Sequence, residues 1–205
     1  AGLQNFSLGV IQKMVANVPD EGPSNIFHIA LSNHTVLGDE AYVPFGNYAL
    51  RWVNQVFKIT LPGGQVITNP NGIDQQTQLQ GFNSRDAGER NAFQYEWSSG
   101  YFIIAQCNQL LKSLENPDIQ FTGDAATKRN ALKAWALWWK GYAYSRIGSM
   151  YLAGIITNDP GATNDNFVHR DAIMTEANKV LNDCLATLNA ITAANADYSS
   201  VMQAI

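Results

Sequence analysis

Along this chain apolar residues recur at spacings of three and four in four separate stretches, and one long interval between them loses that rhythm. The first stretch, "NFSLGVIQKMVANV", sets Phe6, Val10, Ile11, Met14 and Val18 at helical spacing, which predicts a short amphipathic helix capped by Ser7 and stopped by Pro19. From residue 19 to about 85 the pattern dissolves, and "PDEGPSN", "LPGGQ" and "NPNG" mark turns. That interval still carries Phe27, Tyr42, Phe45, Tyr48, Trp52 and Phe57, more rings than a disordered segment holds. A long irregular segment of this kind is expected to be functional.

The rhythm returns in "SRDAGERNAFQYEWSSGYFIIAQCNQLLKSLENPD", where Phe93, Trp97, Gly100, Tyr101, Ile104, Cys107 and Leu111 share a face and Asn116 and Pro117 end the helix. "TGDAATKRNALKAWALWWKGYAYSRIGSMYL" follows, with Thr122 or Asp124 as the expected cap. The short link between the two predicts an antiparallel helical hairpin. After the turn-rich "NDPGATNDNF", a third helix is predicted in "RDAIMTEANKVLNDCLATLNAI" through Ile173, Ala177, Val180, Leu181, Cys184, Leu185 and Leu188. The expected class is all-α: one domain over 1–205, with a loop region at 19–85 and a hairpin plus one further helix at 86–191.

Within this pattern "ALKAWALWWKGYAYSRIGSMYLAGIITND" concentrates three tryptophans and three tyrosines. On a helical wheel Leu132, Trp135, Trp139 and Tyr142 line one side. Ala131, Ala134, Trp138, Gly141, Ser145 and Gly148 form a second side of mostly small residues, and Arg129, Lys133 and Lys140 leave a narrow polar stripe. A helix apolar over most of its circumference packs on two or more sides. The rings are therefore expected in the core, with Trp138 as a wedge under a closely approaching helix. The alternative is a ring that faces solvent as a stacking surface.

Composition narrows the chemistry. The chain has 205 residues, 46% of them hydrophobic, enough for a sizeable core. A net charge of -4 with 15% charged residues offers no basic stripe for phosphates, which argues against nucleic acid. Cys107 and Cys184 fall inside apolar helical patterns, as buried free thiols do. No apolar run reaches the ~18 residues of a membrane-spanning helix. The opening "AGLQNFSLGV" lacks the charged flank of a signal peptide.

Three stretches resemble the SusD/RagB family of outer-membrane glycan-binding lipoproteins. "EWSSGYFIIAQCNQLLKSLE" carries Trp97, Tyr101, Asn108, Leu110 and Leu111 in that family's order; "ALKAWALWWKGYAYSRIGSMYL" is similar to its alanine and aromatic helix, although Ile147, Gly148 and Ser149 stand where Tyr-Gly is common and Pro160 comes late. "VHRDAIMTEANKVLNDCLATL" matches an Arg followed by acidic and leucine positions, Arg170, Asp171, Asp183 and Leu185, and "GDEAYVPFGNYALRW" resembles the loop after the first helix. Family members are longer, so the resemblance implies an amino-terminal portion of such a protein. It also implies tetratricopeptide-like hairpins, an oligosaccharide ligand and docking on a SusC-like TonB-dependent transporter. The implied place is the cell-surface side of the outer membrane, held there by a lipid anchor that this chain does not contain.

Sugar recognition needs a flat ring against the apolar face of a pyranose, with amides and carboxylates reaching its hydroxyls. "DEAYVPFGNYALRWVNQ" holds both, and Asp39, Glu40, Asn47, Tyr48, Arg51, Trp52 and Asn54 are the expected glycan site, joined by Gln55. Tyr48 and Trp52 serve equally well as a staple onto the helices, and Arg51 as a partner of Asp39 or Glu40. Glycosidase carboxylates are sought among Asp39 with Glu40, Glu89 with Glu96, and Asp183, a pair that only spatial separation defines. His28, His34 and His169 lack zinc spacing, "NDPGATNDN" lacks the order of a calcium loop, and neither a GxSxG elbow nor a phosphate loop occurs. The expectation is a glycan-binding protein that is not an enzyme and holds no cofactor or metal. A peptide-binding helical scaffold is the alternative, and a glycoside hydrolase a more remote one.

Overall fold

The structure, a computed structural model, describes residues 2–15, 34–35, 38, 58–68, 75–191, 198–199 and 201. Among them the chain is mostly helical, as its periodicity predicts. The helices are α1 (Gly2–Val15), α2 (Gln75–Phe82), α3 (Ala92–Glu115), α4 (Ala125–Met150) and α5 (Arg170–Asn189). Two antiparallel hairpins accompany them, β1 (Lys58–Thr60) with β2 (Val66–Thr68) and β3 (Ala153–Ile155) with β4 (Phe167–His169). The contacts divide the chain into two compact units, Asn17–Trp97 on one hand and Ala1–Ala16 with Ser98–Ile205 on the other.

In the smaller unit the "LPGGQ" turn joins β1 to β2, pairing Lys58 with Thr68 and Thr60 with Val66. Gly64 sits at φ 81, a left-handed conformation that side chains other than hydrogen resist. Three-residue strands are too short to register as alternation, so the periodicity of this interval hides them. A 3-10 segment, Arg85–Arg90, kinks at Gly88 and delays the start of α3 to Ala92. Asn91 is its cap: the side-chain oxygen accepts from the amides of Phe93 and Gln94 at 3.1 and 3.3 Å, and the side-chain nitrogen donates to the Ser84 carbonyl at 3.1 Å.

In the larger unit α3, α4 and α5 pack antiparallel in sequence. A Cβ on Gly100 would meet Ile147, Leu111 packs beside Ala134 and Leu137, and the Arg129 guanidinium donates to the Leu114 carbonyl, so α4 runs back along α3. Gly141 lies against Leu181 and Gly148 against Met174, which sets α5 antiparallel to α4. The small-residue face thus admits a close helix, as its composition predicts. At Gly141 a Cβ would stand 2.6 Å from Leu181 Cγ, so only glycine fits with Leu181 in place.

The core gathers Ile103, Ile104, Cys107 and Leu110 of α3, Leu132, Tyr144 and Ile147 of α4, and Ile173, Ala177 and Val180 of α5. α4 is capped by Asp124, whose carboxylate accepts from the Thr127 amide at 3.0 Å. Three readings need correction. Ser7 caps nothing: it lies inside α1, and its hydroxyl donates to the Leu3 carbonyl one turn back. Leu185 and Leu188, expected on the packed face of α5, are exposed, because the seam with α4 closes on Val180 and Cys184. Lys140 is buried rather than part of a polar stripe, since the loop after β3 folds over it.

Candidate functional site

The residues expected to form a glycan site, Asp39, Glu40, Asn47, Tyr48, Arg51, Trp52 and Asn54, lie outside the described residues. Within the described residues the chemistry gathers on α4, whose rings separate into two sets. Trp135 is buried and Trp139 half-buried, in keeping with a core role, whereas Trp138 is 47% exposed and is no wedge. The space on the α5 side is filled by Ala134, Leu137, Val180 and Cys184, a cluster that leaves no room for an indole.

Trp138 instead turns to the flank of the helix and stacks on Tyr142, one turn on, with centroids 5.7 Å apart and planes within 4°. Trp139 stands edge-on to both, 4.7 Å from Trp138 and 5.8 Å from Tyr142, at 88° in each case. Tyr142 follows Trp138 by four residues and Trp139 by three, the spacings that bring side chains together on one helix. The edge-on contacts hold the exposed indole in a fixed plane, and such a plane can receive an apolar ligand face.

The second set holds chain rather than facing outwards. The Tyr101 hydroxyl accepts from the Ile155 amide at 2.6 Å and donates to the Ile155 carbonyl at 3.2 Å. The Tyr144 hydroxyl does the same two residues on, accepting from the Thr157 amide at 2.9 Å and donating to its carbonyl at 2.8 Å. Asn108 adds a third donor, its side-chain amide bonding the Thr157 carbonyl at 3.0 Å. In extended backbone, residues two apart present the same edge, so two tyrosines from two helices clasp one strand. Gly154 makes this possible: a Cβ there would meet the Tyr101 hydroxyl at 3.0 Å and Ile147 at 3.1 Å.

Next to the clasp the Lys140 ammonium donates to Asn158 Oδ1 at 2.6 Å. Burial lowers its pKa, while the Glu176 carboxylate and the Cys107 sulfur pull the other way. Burial pushes the Cys107 thiol up to about 12 and raises both tyrosines, with the hydrogen bonds from the Ile155 and Thr157 amides opposing at the tyrosines. At neutral pH these thiol and phenol groups are protonated. They suit holding a strand, not nucleophilic attack.

The remaining candidates are dispersed. Glu96 is buried and bonded to His34 Nε2 at 3.0 Å, Asp183 is exposed on α5, and His169 caps that helix by accepting from the Asp171 amide. Both cysteines are free and buried, as their helical context predicts, and Cys184 donates to the Ala134 carbonyl. The "NDPGATNDN" segment is an exposed hairpin connection in which Asn164 bonds the Ile156 carbonyl and the Asn166 amide. Among the described residues no three acidic, histidine or cysteine side chains converge to hold a metal, and no helix is long and apolar enough to cross a membrane.

No family model, curated protein or solved structure matches the chain. Its own geometry and sequence therefore carry the functional argument. Sequence reasoning missed the clasp, because its acceptors are backbone groups with no signature. It also missed that Trp138 faces outwards, although the alternative of a solvent-facing ring covers that case.

Proposed function

We propose that this chain is a glycan-binding module of an outer-membrane nutrient-uptake system, acting with a SusC-like TonB-dependent transporter. The observation that carries the reading is the Trp138 indole, exposed over nearly half its surface and held flat by Tyr142 and Trp139 on a packed helical frame. A single large ring exposed on a rigid element suits the C–H face of a pyranose, which stacks on aromatic planes and leaves its hydroxyls to neighbouring polar groups. The resemblance to SusD/RagB proteins in "EWSSGYFIIAQCNQLLKSLE" and "ALKAWALWWKGYAYSRIGSMYL" supports the same chemistry and supplies the transporter as partner. In this reading the Tyr48 and Trp52 segment adds a second stacking position.

Calorimetric titration with a panel of oligosaccharides tests it. Binding by the wild type, weakened at least about tenfold in Trp138→Ala, is expected for loss of one stacked ring. Failure of every glycan to bind, with a barrel protein still recovered by the immobilised chain, would assign it to docking alone. Release of shortened sugars during titration would make it a hydrolase. The exposed Leu185 and Leu188 of α5 favour a protein contact as a second reading, which the same immobilised-chain experiment reports through Leu185→Lys.

A further inference from the structure

Beside the clasp, a lysine of α4, an amide of the chain that follows β3 and a carboxylate of α5 come together. Lys140 is buried, 4% exposed, and its ammonium donates to Asn158 Oδ1 at 2.6 Å. With a carbonyl bond of about 1.2 Å, Asn158 Cγ stands within about 4 Å of that nitrogen, near the separation of roughly 3–3.5 Å from which atoms react. Glu176 supplies the carboxylate: its side chain is 12% exposed, and its charge acts on the Lys140 ammonium. Asn158 itself is exposed, so a small leaving group has a way out to solvent.

A lysine is a nucleophile only as the free amine, and burial favours that form. Desolvation lowers the Lys140 pKa, and the Lys179 ammonium on α5 adds to the lowering, while Glu176 and Cys107 oppose it. Two other nucleophiles stand close by, and neither competes. Burial holds the Cys107 thiol up to about 12, so it stays protonated, and the Tyr144 hydroxyl is engaged by the amide and carbonyl of Thr157.

We propose that Lys140 and Asn158 condense into an intramolecular isopeptide bond, with Glu176 carrying the protons. Glu176 takes one proton from the ammonium, and the freed Lys140 Nζ adds its electron pair to Asn158 Cγ. The carbonyl π electrons move onto Oδ1 and return as the Cγ–Nδ2 bond breaks. Nδ2 leaves with the electron pair of that bond, takes the proton held by Glu176 and departs as ammonia. Nζ then passes its surplus proton to the carboxylate, and from there it goes to solvent. One C–N bond forms and one breaks, so no oxidant or reductant is needed. The reaction also removes a desolvated charge, which favours the linked product. The link ties α4 to the residue after Thr157, whose backbone Tyr144 and Asn108 already hold. Freshly folded chain holds the two groups as a hydrogen-bonded pair, and the link accumulates with time.

Intact-mass spectrometry of the whole folded chain, sampled over days in mildly alkaline buffer, tests this. Wild type is expected to become lighter by one ammonia, and tandem spectra of its digest to show a branched peptide joining Lys140 to Asn158. Lys140→Arg, which keeps the charge but offers no free amine, and Asn158→Ala, at an exposed position, are expected to hold their full mass. Glu176→Gln should slow the loss by about a hundredfold, the scale of a lost proton carrier. Circular dichroism of each variant, matching that of the wild type, shows that the frame is intact. The linked chain should also unfold at a higher urea midpoint than freshly folded wild type, since the closed loop restricts the unfolded chain. A wild type that keeps its full mass would overturn the inference. So would an equal loss in Lys140→Arg, the mark of Asn158 closing on its own backbone, and an unchanged rate in Glu176→Gln would remove Glu176 from the proton route.

Discussion

Two groups of rings on neighbouring helices serve opposite ends. Tyr101 and Tyr144 point their hydroxyls at backbone groups of Ile155 and Thr157, Tyr144 fully buried and Tyr101 partly so, while Trp138 and Tyr142 stack on one another along the flank, with Trp138 nearly half exposed. Residue type does not separate them, since both sets are large and aromatic. What separates them is their surroundings: a phenol whose hydroxyl meets the open edge of a strand can be taken inside at little cost, and an indole excluded from a seam already full of small residues stays outside. The consequence is a division between rings that stabilise and a ring that is available to bind.

The sharpest way to break this comparison is at the clasp. Tyr144→Phe keeps the ring and removes the one atom that satisfies the Thr157 amide, leaving a buried donor unpaired, so a loss of about 2 kcal/mol is expected in urea unfolding. Asn108 still serves the carbonyl, which keeps the loss from doubling. An unfolding midpoint equal to that of the wild type would mean that water replaces the hydroxyl and that the clasp is decorative.

Gly141→Ala probes the seam that keeps Trp138 out. Alanine favours a helix by about 1 kcal/mol over glycine, yet its Cβ would press on Leu181 at a cost of roughly 1–3 kcal/mol. A net destabilisation of about 1 kcal/mol is expected. A gain instead would show that Leu181 swings aside and that the α4–α5 approach is looser than its spacing. Trp138→Ala is expected to move stability by less than about 0.5 kcal/mol, because an exposed ring contributes little and alanine is a better helix former. With glycan affinity falling in the same variant, stability and binding would part company at this ring.

The sequence made the helical frame legible, and the reasons are local. Phe93 to Leu111 and Ile173 to Cys184 keep a strict helical period, Asp124 stands where a cap belongs, and the short link between α3 and α4 allows only an antiparallel return. What stayed hidden depends on partners far along the chain. Lys140 reads as a solvent-facing stripe until Asn158, 18 residues on, covers it. Tyr101 gives no sign that its hydroxyl meets Ile155, 54 residues away. The strands flanking each turn have three residues, fewer than alternation needs to show itself. Ser7 illustrates the remaining error: the residue type of a cap also serves inside a helix, bonded one turn back.

Lys140→Met gives a small effect at neutral pH and the most informative one as pH changes. The ammonium is buried beside the clasp with Asn158 as its hydrogen-bond acceptor, and Asn158 is exposed enough for water to replace it. Exchanging a desolvated charge for a thioether of similar length should therefore shift stability by only about 0–1 kcal/mol near pH 7, in the stabilising direction. The sign of the pH dependence follows from the lowered pKa. Below that value the folded state carries the full cost of a buried ammonium; as pH rises from there towards 10.5, the unfolded lysine stays protonated while the folded one releases its proton, and the wild type gains on the variant. Cys107 acts oppositely: with its thiol raised from 9.0 to about 12, stability falls over that interval, and the Lys140 charge, which holds the thiol lower, is absent from the variant. The difference between wild type and Lys140→Met in urea midpoint, measured at pH 6, 8 and 10, reports the lysine together with its coupling to Cys107. An advantage of the variant that shrinks with rising pH is expected. A variant destabilised by about 3 kcal/mol at every pH would instead make the Lys140–Asn158 bond a main support of the clasp, and the rings of Tyr101 and Tyr144 would then depend on a charge as well as on each other.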